Sequence, residues 1–237
     1  MPGPPWGSRP RTVKPPPSHR GNVTSLEEGS VAVSLARRAL ESCLDWPEEK
    51  DPGSFAEAED LPMLFEEKRG LFVTLLQHPS SDLRGCIGFT EPRFRLRQGI
   101  PRAALYAAKE DPRFPPLSRG ELGRIRVELS LLTPAVPVVA RKPLDLLDMV
   151  KVGRDGLMVE EGGLRGVLLP QVPVDEGWDV ETFLSYTCVK AGLSPAAWRR
   201  PGPRFWSFRS EIFAEERPRG PVVEHPLDDG APRPSAR

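Results

Sequence analysis

Leu83-Arg84-Gly85-Cys86-Ile87-Gly88 brings a guanidinium, a thiol and two glycines together in one short apolar stretch. A thiolate beside a guanidinium has a lowered pKa and is a competent nucleophile. In an ideal strand Arg84, Cys86 and Gly88 face one way, so Arg84 would stand beside Cys86. Gly85 and Gly88 permit close approach of a ligand to the backbone, or else a bend or bulge in a sheet. The competing reading of Cys86 is a buried structural cysteine. No histidine is fixed beside it by spacing. His78 is one hairpin loop away, and His19 and His225 lie toward the ends. With no Cys-x-x-Cys and no His-x-x-x-His, no metal site and no cofactor are expected.

Other polar residues can join this group. Arg113 sits in Asp111-Pro112-Arg113-Phe114-Pro115-Pro116-Leu117, a loop stiffened by prolines. Such a loop presents a guanidinium to a carboxylate or phosphate at small entropic cost. Its alternatives are an ion pair with Asp111 or a cap on helix carbonyls. Glu128 and Ser130 alternate with Val127, Leu129 and Leu131, so they occupy the polar face of a strand. They either line a cleft or are solvated. Gln171 follows a proline at a strand end and offers an amide. Trp178 and Trp206 read as packing residues.

Elements must position these groups. A helix is expected from about Ser25 to Leu44, with Ser25 and Glu27-Glu28 suiting its start and Cys43 on its apolar stripe. Gly70 to Leu76 and Leu83 to Phe89 read as a hairpin. A helix from about Arg93 to Glu110 contains Pro101, which marks a break or a late start. The proline loop and a short turn then lead to the strand Ile125–Leu132. The order recurs downstream. Gly156-Leu157-Met158-Val159, a turn at Glu161-Gly162-Gly163 and Leu164-Arg165-Gly166 form a second hairpin. A helix from Val180 to Ala191, a loop with a turn near Pro195 to Arg199, and one strand from Phe205 to Phe213 complete it. The repeated hairpin, helix, loop and strand point to an internal duplication sharing one core.

Composition sets the bounds. The chain has 237 residues, 29 of them proline, and zero formal net charge. Prolines crowd both ends, so residues 1–24 and 217–237 are expected to be disordered tails around a folded unit at 25–216. Zero net charge lowers the prospect of nucleic-acid binding. Three scattered cysteines argue against a disulfide framework and fit a reducing compartment. No apolar run of spanning length and no signal peptide are visible, so a cytoplasmic location without a membrane partner is expected.

The strings together resemble the AMMECR domain family, whose prokaryotic branch is known as AmmeMemoRadiSam system protein A. The resemblance rests on the Leu83–Gly88 and Asp111–Leu117 strings and on Glu128-Leu129-Ser130-Leu131-Leu132-Thr133-Pro134. It rests also on Gly153-Arg154-Asp155-Gly156-Leu157, Leu168-Leu169-Pro170-Gln171-Val172, Gly177-Trp178-Asp179, Thr182-Phe183-Leu184 and Cys188 to Leu193. It covers about Val31 to Ala214. It implies an α+β fold of two β(3)-α(2) units around a single barrel-like sheet. It implies a setting with a Memo-family protein and a radical SAM protein, and no established activity. The chain departs from the family pattern at Ala107-Ala108-Lys109-Glu110, where an aromatic is more common. Three classes follow: a cysteine-using enzyme on a small anionic substrate, with Cys86 and Arg84 catalytic and Gly85, Gly88, Arg113, Glu128, Ser130 and Gln171 binding; a non-catalytic small-ligand or protein-binding adaptor; and, less favoured, a nucleic-acid-associated regulator.

Overall fold

The computed structural model describes residues 24–46 and 50–225. Helix α1 (Leu26–Cys43) is followed by β1 (Leu71–Gln77), β2 (Leu83–Phe89), α2 (Leu96–Lys109), β3 (Ile125–Leu132) and a short β4 (Val136–Pro137). Then come α3 (Leu146–Met149), β5 (Gly156–Glu161), β6 (Leu164–Leu168), α4 (Gln171–Asp175), α5 (Val180–Lys190), β7 (Arg204–Phe208), β8 (Ser210–Glu215) and β9 (Val222–His225). Among the described residues no helix is long and apolar enough to cross a membrane. The expected tails fall outside the description, except Thr24 and residues 217–225. The latter are not a tail, because β9 pairs antiparallel with β8 and carries the ordered chain past residue 216. The side chain of Cys43 also lies outside the description.

Helix α1 begins where a capping box dictates. The Ser25 hydroxyl accepts from the Glu28 N–H, and the Glu28 carboxylate accepts from the Ser25 N–H, satisfying two donors that the first turn leaves open. Leu35, Ala36 and Leu40 of α1 then meet Ile100, Ala103 and Ala104 of α2 over one face of the first sheet. That face is built by alternation: Leu71, Val73 and Leu75 from β1, and Val127, Leu129 and Leu131 from β3. Each large side chain buried there contributes about 1.5–3 kcal/mol relative to exposure. Helix α2 runs through Pro101 without ending, starting at Leu96 rather than Arg93.

The α+β class holds, but the single barrel-like sheet does not. The described strands form two open sheets, ordered β2-β1-β3-β8-β9 and β4-β7-β5-β6. The reason lies at Arg209. The stretch expected as one strand from Phe205 to Phe213 divides there, with β7 in the second sheet and β8 in the first. The continuation of β3 into β4 makes the reverse change. The two crossings are tied together: Thr133 N–H donates to the Arg209 carbonyl and Arg209 N–H to the Thr133 hydroxyl, both at 2.8 Å. Strands that switch sheets through such a corner join two sheets without closing a barrel.

The two hairpins have the same connectivity. In each, the first strand pairs antiparallel both with its hairpin partner and with the strand that follows the helix, giving β2-β1-β3 and β6-β5-β7. The glycine after each Leu-Arg is pressed by the end of its own helix. A Cβ on Gly85 would run into the Ala107 carbonyl group, and one on Gly166 into the Ala191 amide and the Thr187 carbonyl. Two buried ion pairs fasten the first half. Arg37 donates to both oxygens of Glu215 and to the Ile125 carbonyl, while Glu215 also accepts from the Val127 N–H. Arg69 bridges the Leu132 carbonyl, the Thr24 hydroxyl and Glu211.

Candidate functional site

The face of the first sheet opposite α1 and α2 carries a row of three residues. Thr74 is the cross-strand partner of Cys86 on β2 and of Glu128 on β3. Direct partners share a face, so thiol, hydroxyl and carboxylate stand in line across three strands. The Thr74 hydroxyl donates to the Cys86 sulfur at 3.3 Å. The next row holds Gly88, Phe72 and Ser130.

Asp111 joins this row to the proline loop. One carboxylate oxygen accepts the Cys86 backbone N–H at 2.8 Å and the Arg113 guanidinium at 2.7 Å. The other accepts both the N–H and the Nε–H of Arg113. The Asp111 side chain is 2% exposed and that of Arg113 is 54% exposed. A buried carboxylate thus fixes both the cysteine strand and a guanidinium that still faces water. The Arg113 hydrogen bonds, foremost, hold the Asp111 carboxyl down at about 2, because each stabilises the charged form. The same pairing raises Arg113. The ion pair with Asp111 and the presented cation, posed as alternatives from the sequence, coexist.

Cys86 does not have the depressed pKa that a neighbouring Arg84 would give. Burial, the largest influence, pushes the thiol up, with Thr74 and Arg113 opposing and Glu128 and Asp111 adding to the rise. Arg84 is occupied elsewhere. The pairing of β1 and β2 shifts register between Leu75 and Leu76, so that Leu75 faces Gly85 while Leu76 faces Leu83. Arg84 is the extra residue of this bulge, which breaks the ideal alternation. Its buried side chain donates to Glu121 at 2.9 Å and lies over the Phe114 ring. Burial pushes the Glu121 carboxyl up, but its bonds from Ser118 and Arg84 outweigh that and leave it lowered.

The space beside both glycines of the string is filled by the chain itself. At Gly85 it is taken by the end of α2, and at Gly88 by the Leu71 carbonyl and the Phe72 ring. Ser130 is buried between Phe72 and Ile212, its partners on either side. Gln171 opens α4, beyond the second hairpin, and no hydrogen bond joins it to the Cys86 row. His78 is exposed in the loop beyond β1. The structure thus brings together Cys86, Glu128 and Arg113, and adds Thr74 and Asp111, which the sequence reading did not select. Asp111 stood in the quoted proline string, and its place two residues before Arg113 was the available signal. Thr74 could be found only from the register of β1 against β2.

Comparison with known proteins gives the family. The AMMECR1 family model matches residues 33–213. Protein MJ0810 of Methanocaldococcus jannaschii is 45% identical over 205 residues, covering 86% of this chain and 98% of its own. A protein of Thermofilum pendens is 48% identical over 212 residues, covering 86% and 97%. The crystal structure of the uncharacterized protein PH0010 from Pyrococcus horikoshii superposes with a TM-score of 0.68 at 45% identity, covering 84% of this chain and 97% of that one. With its family model spanning most of the described residues, and with relatives matched along nearly their whole lengths, the chain belongs to the AMMECR1 family.

Proposed function

We propose that the outer face of the first sheet is a site for a small anionic molecule, with Arg113 taking the negative charge and Cys86 as the nucleophile. The single observation that supports this is the Asp111 clamp, which ties the Cys86 backbone and the Arg113 guanidinium to one buried carboxylate. Glu128, two strands from Cys86 with Thr74 between them, contributes a carboxylate to the same face. In this reading a Memo-family protein and a radical SAM protein supply or consume the small molecule. The shared connectivity of the two hairpin units supports an internal duplication, in which only the first unit has a cysteine directly after the Leu-Arg-Gly glycine.

A second reading is a non-catalytic binding module. It is favoured by one observation, that burial, the largest influence on Cys86, pushes its thiol up, since the thiolate is the nucleophile. One experiment separates the two. Alkylation of Cys86 is followed by peptide mass spectrometry with iodoacetate, which is anionic, and iodoacetamide, which is neutral. The enzyme reading expects Cys86 to favour iodoacetate relative to a thiol in unfolded chain, and Arg113→Ala to abolish that preference. A Cys86 inert to both reagents near neutral pH, or a preference untouched by Arg113→Ala, leaves the binding module.

A further inference from the structure

The second half of the molecule carries an aromatic and acidic surface that the Cys86 site does not use. Helix α5 is apolar on two sides. Phe183, Leu184 and Cys188 enter the second core with Trp198. Tyr186 and Val189 point outward, 48% and 47% exposed. The Tyr186 ring stacks on Trp178 with centroids 4.2 Å apart and planes 11° apart. Around this pair stand Asp175, Glu176, Asp179 and Glu181, all exposed. Asp179 caps α5 through the Thr182 N–H, which fixes its carboxylate beside Trp178, while Glu181 is paired with Arg199. Elsewhere an outward tyrosine and valine on a helix would be scattered surface apolarity. Here they adjoin a tryptophan stacked on the tyrosine, with carboxylates in excess over the neighbouring cations Lys190 and Arg199.

The sequence contains a segment complementary to this surface in both respects. The 23 residues before Thr24 include Pro2, Pro4-Pro5, Pro10 and Pro15-Pro16-Pro17. They include Arg9, Arg11, Lys14 and Arg20 and no acidic residue. Proline-rich peptides dock on exposed aromatic rings because their extended conformation costs little to order. Arginines stack on such rings and pair with carboxylates at the rim. The residues after His225 lack this complementarity, since Asp228 and Asp229 offset Arg233 and Arg237. The attachment point permits the contact. Thr24 is fixed to Glu211 and Arg69, beside the corner where the two sheets meet. At ~3.1 Å per residue such a segment reaches ~70 Å, whereas a folded unit of ~200 residues is ~40 Å across.

We propose that the basic, proline-rich segment 1–23 docks in cis on the Trp178–Tyr186 surface, its cations against Asp175, Glu176, Asp179 and Glu181. The test uses the full chain. A zero-length carbodiimide joins amines to carboxylates in contact, and Lys14 is the one lysine of the segment. An equimolar mixture of unlabelled and nitrogen-15-labelled chains separates links within a chain from links between chains. The expected result is that Lys14 links chiefly to Asp175 and Glu176 within one chain. The yield falls about fivefold or more in Tyr186→Ser, the scale of one aromatic contact. It falls similarly in the Arg9→Gln, Arg11→Gln, Arg20→Gln variant, which leaves the described residues unchanged, and in high salt. Links from Lys14 spread evenly over the acidic surface would overturn the proposal. So would links found only between labelled and unlabelled chains, or a yield indifferent to the arginine variant.

Discussion

Replacing Asp111 by asparagine removes the charge that fixes the Cys86 strand to Arg113 while keeping the side chain's shape. The magnitude follows from the carboxyl, which sits at about 2 against an ordinary 3.8. At ~1.4 kcal/mol per unit that shift corresponds to about 2.5 kcal/mol. Arg113 is 54% exposed, and solvent screening reduces the figure to about 1–2 kcal/mol. The sign is that of a depressed carboxylate: the contribution is present above the unfolded value and lost as pH falls from about 4 through about 2. Asp111→Asn therefore lowers stability by about 1–2 kcal/mol at pH 7, about 2–8 °C in melting temperature for a chain of this size. Urea unfolding of both proteins at pH 7, 5, 4, 3 and 2 gives the assay. Glu121, Glu161 and Asp179 also sit below their ordinary values, but they are common to both proteins and cancel in the difference. The stability gap is expected to stay level from pH 7 to 5 and to close toward pH 2. A gap that stays constant down to pH 2 would refute the assignment of Asp111 as the charged clamp.

Gly85→Ala and Gly166→Ala each drive a methyl into the end of a helix, and each is expected to cost about 2–3 kcal/mol in chemical denaturation; a near-neutral Gly166→Ala would show that the second helix yields where the first does not. Glu215→Ala leaves Arg37 buried without its carboxylate and is expected to cost about 3–5 kcal/mol, whereas Arg37→Met with Glu215→Leu recovers only part of that loss, because the Val127 N–H still loses its acceptor. Equal melting temperatures for the single and double variants would contradict this.

How far the sequence exposed this arrangement depends on the length scale of each cause. The hairpins, α1, α5 and β3 were legible because alternation and helical spacing are local, and the Ser25–Glu28 box marks a helix start within four residues. The division at Arg209 was not legible. Phe205 to Phe213 reads as one unbroken strand, and what divides it is the bond pair with Thr133, more than seventy residues away in the chain. The extension through β9 was hidden for a related reason. Val222 and Val223 stand among prolines, glycine and charge, and only the open edge of β8 gives them a partner.

The same distinction explains the site. Alternation placed Arg84 on the face of Cys86, and that inference fails only at a bulge, where one residue is added to one strand. Gly85 is the reason the bulge matters. It brings β2 against the last turn of α2, so the helix end delivers Asp111 to the Cys86 N–H two residues after the chain leaves α2. Arg84 turns its Nε–H to Glu121 and is buried, and the cation that faces water is Arg113, two residues beyond Asp111. The second unit keeps the glycine and the close helix but has Val167 after Gly166 where the first has Cys86 after Gly85. It also pairs Arg154 with Asp155 ahead of its hairpin rather than behind its helix. One architecture thus supports two different surfaces: a thiol, carboxylate and guanidinium on the first sheet, and a stacked aromatic pair among exposed carboxylates on the second half.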